Sequence, residues 1–408
     1  MATNILQRKL PNVSPGLVAW LLFIGVLLVI GLVSAFEVFW NGLIVTNMSD
    51  TIPWGLWITI DLSSIALGAG AFTLSAVVYL FGIKSFRSIV RLAVFVGFIG
   101  YTSALLTLVM DIGRPDRFWH PWVYWNVHSV LWEITWCITI YLTIMVVEFL
   151  PVIAEVPYIS KRLPWLGKVA HVLHKLAPAL AVLGLGISLL HQSSLGATYG
   201  IVKSRPIWFK PSMPIMFILS AVAVGPAMTM AMAFILEWIT GKATVAHDVL
   251  HKIARASGLT LLAYLYLRMW DLAAVSYYGR TPSVSEAMNM LSQETPYSFG
   301  FWVGEVILGI IIPVILFLAP RFNKNPFNLV LGAGLAVMGV IFNRWNVTVT
   351  GLFVPLDYSP GTIFRPEVVS YWPSLAEWGI AVGILGYMMM MLTLGVRFLP
   401  LFNHEDHS

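Results

Sequence analysis

Ten apolar runs of roughly 20 residues, each long enough to cross the hydrocarbon core of a bilayer as a helix, constrain this chain before any motif is read. They lie at about 17–38, 55–82, 89–110, 129–150, 174–195, 214–239, 254–278, 299–320, 327–348 and 374–398. Backbone polar groups in lipid must bond internally, so runs of this length cross as helices. With 58% hydrophobic residues and 11% charged, the 408 residues read as an all-α membrane protein, a single integral membrane domain over 1–408.

Lys and Arg near span ends stay on the cytoplasmic side, which orients the chain. Arg8, Lys9, the even-numbered connections and Arg397 supply fifteen basic residues. The odd-numbered connections supply seven: Arg114, Arg117, Lys203, Arg205, Lys210, Arg280 and Arg365. Both termini are therefore expected inside (N-in/C-in), with the first run retained as a helix rather than cleaved as a signal peptide. The net charge of +5 is accounted for by this asymmetry and requires no nucleic acid.

Under this topology the longer connections, 111–128, 196–213, 279–298 and 349–373, all face outward. They are rich in aromatics, including Trp119, Trp122, Tyr124, Trp125, Trp208, Tyr371 and Trp372. Such residues anchor helix ends at the interface, or together make a docking platform for an extramembrane partner.

The ionisable residues within or beside the runs gather on that same side. Asp61, Asp111, His128, Glu133, His191, Asp271, Glu305 and Arg344 are the main members. Charge in a lipid-spanning helix is costly, so such residues face a bundle interior and mark ligand or proton pathways. Asp61 lies about two turns below the outer surface, after Pro53-Trp54-Gly55, where a carboxylate suits proton exchange or an ion pair. Ser64, Gly68 and Gly70 follow at close-packing spacing. Asp111-Ile112-Gly113-Arg114-Pro115 closes the third run, and an Asp111–Arg114 pair would fasten the loop. The fourth opens with Asn126 to Glu133, placing His128 at the mouth and Glu133 deeper. His191-Gln192-Ser193-Ser194 ends the fifth run, where these polar groups either satisfy helix carbonyls or converge with Asp111 and His128 on a pocket. Arg268 and Asp271, at i, i+3 spacing, read as a buried ion pair, and Glu305 with Arg344 completes the set.

The single cysteine, Cys137, excludes an internal disulfide and an ordinary iron–sulfur cluster, which needs several thiolates. Any electron this chain handles must come from a partner. A haem b would need paired histidines inside neighbouring runs. Only His128 and His191 lie at run ends on the outer side, while His171, His174, His247 and His251 are expected in or beside inner loops and His120 in an outer one.

Pro53-Trp54-Gly55, Asp111 to Arg114, Asn126 to Glu133, His191 to Gly196 and Phe342-Asn343-Arg344 together resemble the NrfD/PsrC family of membrane quinone-reactive subunits. The likeness is to its ten-helix branch, the HybB, DsrP and QrcD type, and runs from residue 53 to about 400. The resemblance implies two four-helix bundles plus two additional helices, in the cytoplasmic (inner) membrane of a bacterium or archaeon. It implies a site for menaquinone or menaquinol near the outer, periplasmic surface and no haem, iron–sulfur cluster or metal in this chain. It further implies a ferredoxin-like iron–sulfur subunit as periplasmic partner, with catalytic or multihaem cytochrome subunits beyond. Carried onto this sequence, Asp111, His128, His191 and Gln192 are quinone-binding candidates. Asp61 and Glu133, with Arg268, Asp271, Glu305 and Arg344, are proton-transfer candidates.

The function so implied is a quinone-binding anchor of a respiratory oxidoreductase, exchanging electrons and protons with the quinone pool, and proton translocation is a further reading. The protein would supply positioning, proton delivery and electrostatics, with redox chemistry left to the cofactors and no covalent catalytic residue. A secondary transporter would place its polar residues deeper, in broken helices at the midplane. A structural anchor would need no buried acids, and a haem b cytochrome would need its histidine pairs.

Overall fold

The structure, a computed structural model, describes residues 14–243, 245–278, 282–293, 295–354 and 370–401. Ten long apolar helices account for the runs: α1 (Pro15–Asn41), α2 (Leu56–Tyr79), α3 (Arg87–Asp111), α4 (Val130–Ala154), α5 (Trp165–Gly200), α6 (Met213–Thr240), α7 (His247–Tyr278), α8 (Pro296–Leu318), α9 (Pro326–Phe353) and α10 (Leu375–Phe398). No strand occurs among the described residues. Arg8, Lys9, Arg280 and Arg365, which entered the charge asymmetry, lie outside them.

Local chemistry sets the helix ends. Ser14 caps α1 by accepting from the Leu17 amide, with Pro15 at the first helical position, and Ser129 and Asn325 cap α4 and α9 in the same way. Ser374 and Glu377 form a reciprocal capping box at α10. The tight links after α2 and α3 turn at Gly82 and Gly113, both at positive φ, where a side chain would be strained.

The helices sort into two bundles and a pair. α2, α3, α4 and α5 form the first four-helix bundle, and α6, α7, α8 and α9 the second. The bundles meet where α2 packs on α6, with α5 and α9 flanking the seam. α1 and α10 pack on each other against α3. Small residues let backbones approach at each of these interfaces: Gly70 faces Gly225 across the seam, Gly309 faces Gly339, and Gly31 faces Gly383, each without room for a methyl group. α2 is the most enclosed helix, whereas α1 shows most of its apolar surface to the outside, as a lipid-facing helix does.

Three expectations change. α5 begins at Trp165 rather than 174, so Lys168 and His171 are helical rather than in a loop. Their side chains lower the local hydropathy while the backbone continues, and Pro178 is accommodated inside the helix. α5 also runs on to Gly200, so the connection expected from 196 starts at 201. α9 extends to Phe353 through a π-helical turn, Asn346–Thr350, whose polar residues are buried in protein and not in lipid. A longer π-helical stretch, Gly300–Ile311, occupies the start of α8. Wide π turns recur where a helix is shaped around a site.

Candidate functional site

A cavity of about 470 Å³ opens at one end of the first bundle. Its walls come from α2 (Asp61, Leu62), α3 (Leu105, Asp111), α4 (Ile134, Thr139) and α5 (Leu195, Tyr199). The segment after α3, including the short helix His120–Val123, roofs it with Arg117, Phe118, His120 and Trp122. The roof is pinned to α4: Trp122 Nε1 donates to Thr139 Oγ1 at 3.1 Å and Trp132 Nε1 to the Pro121 carbonyl at 2.9 Å. The lining is apolar with a few converging polar groups, the usual make-up of a small-molecule site. Ile112, Phe118 and Leu131 line it and are also exposed, so the cavity has an apolar opening between the ends of α3 and α4.

Two carboxylates reach this cavity. Asp61 is buried and Asp111 half-buried, and Oδ1 of each has no hydrogen-bond partner in the protein. The expected Asp111–Arg114 pair is not made: Arg114 turns to Asp116, at 3.0 and 2.9 Å, on the exposed loop. His120, half-buried between Trp119 and Tyr124, is the histidine that lines the cavity.

The other candidates fall elsewhere. His128 precedes α4, is exposed and does not line the cavity. His191 and Gln192 lie nine and eight residues before the end of α5, well below where the chain emerges. His191 is fully buried, and its Nδ1 is hydrogen-bonded to Tyr101 Oη at 3.0 Å. Tyr101 in turn stacks on Tyr141 at 4.1 Å between centroids, and these rings form a layer one turn beneath the cavity. Glu133, half-buried, accepts from Ser194 Oγ at 2.7 Å and ties α4 to α5. Among the described residues His191 is the one buried histidine.

The second bundle holds a connected ion network. Glu305 Oε1 accepts from Tyr264 (2.9 Å), Arg268 Nε (2.8 Å) and Asn343 Nδ2 (3.0 Å). Arg268 also reaches Asp271 at 3.7 Å, and Asp271 pairs with Lys210 at 2.6 Å. Arg344 donates to Asn343 Oδ1 at 2.7 Å and Ser220 Oγ at 2.9 Å. Arg268, Asp271, Glu305 and Arg344 are thus brought together, in a separate bundle from the cavity. Lys210 lies in the connection before α6, and burial, then the nearby Arg268, pull its ammonium below the usual lysine range, Asp271 offsetting part of that.

At the opposite end of the first bundle is a smaller cavity of about 80 Å³, lined by Ser75, Tyr79, Arg91, Glu148 and His174 among others. Glu148 Oε2 and Ser75 Oγ have no hydrogen-bond partner there. Between this end and the Tyr141 layer stands Phe72, fully buried, edge-on to Tyr141 and seated in the notch left by Gly184.

Sequence reasoning missed His120, whose role comes from the way the loop folds back over the bundle, and Tyr101, Tyr141 and Tyr199, which look like ordinary apolar-face aromatics. Spacing offered one signal: Tyr264 stands one turn before Arg268 on α7, so both reach Glu305.

Comparison with known proteins agrees with this architecture. The family described as "Polysulphide reductase, NrfD" matches residues 44–355. The integral membrane subunit of menaquinone reductase from Nitratidesulfovibrio vulgaris is 34% identical, over 95% of this chain and 92% of its own length. The probable Ni/Fe-hydrogenase 2 b-type cytochrome subunit of Escherichia coli is 25% identical over 99% and 96%. The integral membrane subunit of the Hdr-like menaquinol oxidoreductase from Archaeoglobus fulgidus is 24% identical over 87% and 86%. The chain belongs to the NrfD family of integral membrane subunits, a quinone-reactive group of oxidoreductase membrane anchors.

Proposed function

We propose that the cavity at the end of the first bundle is the menaquinone/menaquinol site of this subunit, and that Asp61, Asp111 and His120 exchange protons with the ring oxygens there. The observation that carries this reading is the pair of carboxylates with unpartnered oxygens lining an otherwise apolar cavity with an apolar opening between two membrane-spanning helices. The cavity volume, about 470 Å³, falls in the range of small-molecule sites. The isoprenoid tail leaves between the ends of α3 and α4, past Ile112 and Leu131. Relatives named as subunits of a menaquinone reductase and a menaquinol oxidoreductase support the substrate class.

Electrons are exchanged through the roof. With the roof on the periplasmic side, as the basic-residue asymmetry has it, the exposed Phe118, Trp119, Tyr124 and Trp125 offer the surface on which a ferredoxin-like iron–sulfur subunit sits. His128 and Glu133 then lie at the rim and in the wall behind Ser194, while His191 and Gln192 belong to the floor. The polar groups leading from that floor toward Glu148 are interrupted by the buried Phe72, and a proton entering from the opposite end has to pass that ring.

Photoaffinity labelling of the purified complex with an azidoquinone tests the assignment. Label is expected on peptides from α3, the roof and α4. Label confined to the second bundle or to α1 would overturn it.

A further inference from the structure

Three cations and two carboxylates make up the buried network of the second bundle: Lys210, Arg268 and Arg344 against Asp271 and Glu305. Lys210 has Asp271, and Arg268 grips Glu305 through two nitrogens, at 2.8 and 3.2 Å. Arg344 has only neutral partners, Asn343 and Ser220, and its Nε has none. No carboxylate is paired with it among the described residues, although it is 1% exposed. Its nearest acid, Glu305, is reached only through Asn343 and is already held by Arg268; a buried guanidinium with no carboxylate of its own is expensive, and an apolar residue of similar size would be tolerated more cheaply at a purely structural position.

The position of that charge is informative. The Arg344 guanidinium lies 3.6 Å over the face of Phe217. Phe217 stacks on Tyr199 at 6.2 Å between centroids, and Tyr199 is both a wall of the cavity and hydrogen-bonded to Thr348 of α9 at 3.4 Å. The Phe217–Tyr199 wall therefore has an unpaired cation on one face and, on the other, the cavity with Asp61 and Asp111. Arg117 is the cation on the cavity's own lining, and it sits at the exposed rim.

We infer that Arg344 is a positioning residue of the quinone site, a fixed counter-charge that favours negative charge on the bound ring from across the bundle seam. Rings that gain electrons before protons carry such charge, and a low-dielectric wall transmits the field of a nearby cation with little screening. The second bundle then acts on the first through charge, with no proton passing between them. This inference rests on the quinone reading of the cavity.

The test compares two probes on the same purified complex: heptyl-hydroxyquinoline N-oxide (HQNO) at a pH where its hydroxyl is ionised, and menadione, which is neutral. Binding is read by quenching of tryptophan emission. In Arg344→Gln the affinity for the ionised probe relative to menadione is expected to fall about tenfold, and Arg344→Lys to restore it to within about threefold. Ser220→Asp, which gives Arg344 a carboxylate partner and leaves it in place, is expected to produce the same fall, and decides the matter alone if Arg344→Gln does not assemble. A ratio that stays constant while both affinities drop together, or while neither drops, overturns the inference. Failure of either probe to saturate the wild-type complex would instead overturn the quinone reading of the cavity.

Discussion

Tyr101 and His191 meet in a 3.0 Å hydrogen bond beneath the cavity, made through Nδ1 of the imidazole, while its Nε2 has no hydrogen-bond partner. Replacing His191 with Ala strands the buried Tyr101 hydroxyl, a loss of about 1–3 kcal/mol. The thermal midpoint of the purified complex is expected to fall accordingly. An unchanged midpoint would mean that the floor does not depend on this pair.

Asp61 faces the cavity from the most enclosed helix, with one carboxylate oxygen left unpartnered. Loss of a proton-exchanging side chain costs about 10²–10⁴ in rate, while the near-isosteric Asp61→Asn change preserves the shape of the cavity. Quinone turnover by the variant should fall within that range with HQNO affinity held within about threefold. Equal losses in both would assign Asp61 to binding rather than to proton exchange.

Glu305 takes four hydrogen bonds from two neighbouring helices, two of them from Arg268, so its removal leaves Arg268 buried without its main partner. Breaking a buried pair from one side destabilises by about 3–5 kcal/mol. Glu305→Ala is therefore expected to lower the detergent-phase melting midpoint sharply, and Glu305→Gln less so, as followed by size-exclusion chromatography of heated samples. A melting profile for Glu305→Ala matching wild type would mean the network is not part of the folded framework.

The smaller cavity around Glu148 gives the proton question a direct form. In sealed vesicles containing oriented complex, quinone reduction should draw protons from the Glu148 end, and Glu148→Gln should slow that uptake about tenfold or more. Uptake of the same rate and sidedness in the variant would leave proton exchange confined to the cavity end.

The sequence announced the number of helices and the bundle arrangement because hydropathy and family motifs both follow the helical backbone. It also brought Arg268, Asp271, Glu305 and Arg344 to notice, since intramembrane charges stand out against an apolar background. Their partners were only partly legible: Arg114 chose Asp116 two residues away over Asp111, and Arg268 keeps its i+3 pair with Asp271 at 3.7 Å but makes its shorter bonds to Glu305 on the next helix. Those choices depend on how helices rotate against one another. His128 and His120 show the same limit from the loop side, because a polar motif at a helix start says nothing about which way the preceding turn folds. Hydropathy also ended α5 and α9 early wherever a helix turned polar, although in α9 those polar side chains are buried within protein.

Whether the roofed cavity holds the quinone is tested most directly by titrating HQNO into the purified complex and its His120→Ala, Asp111→Asn and His128→Ala variants. Saturable quenching is expected in wild type, weakened about tenfold by His120→Ala and by Asp111→Asn and changed less than about twofold by His128→Ala. Binding that is lost in His128→Ala while the His120 and Asp111 variants retain wild-type affinity would contradict the account.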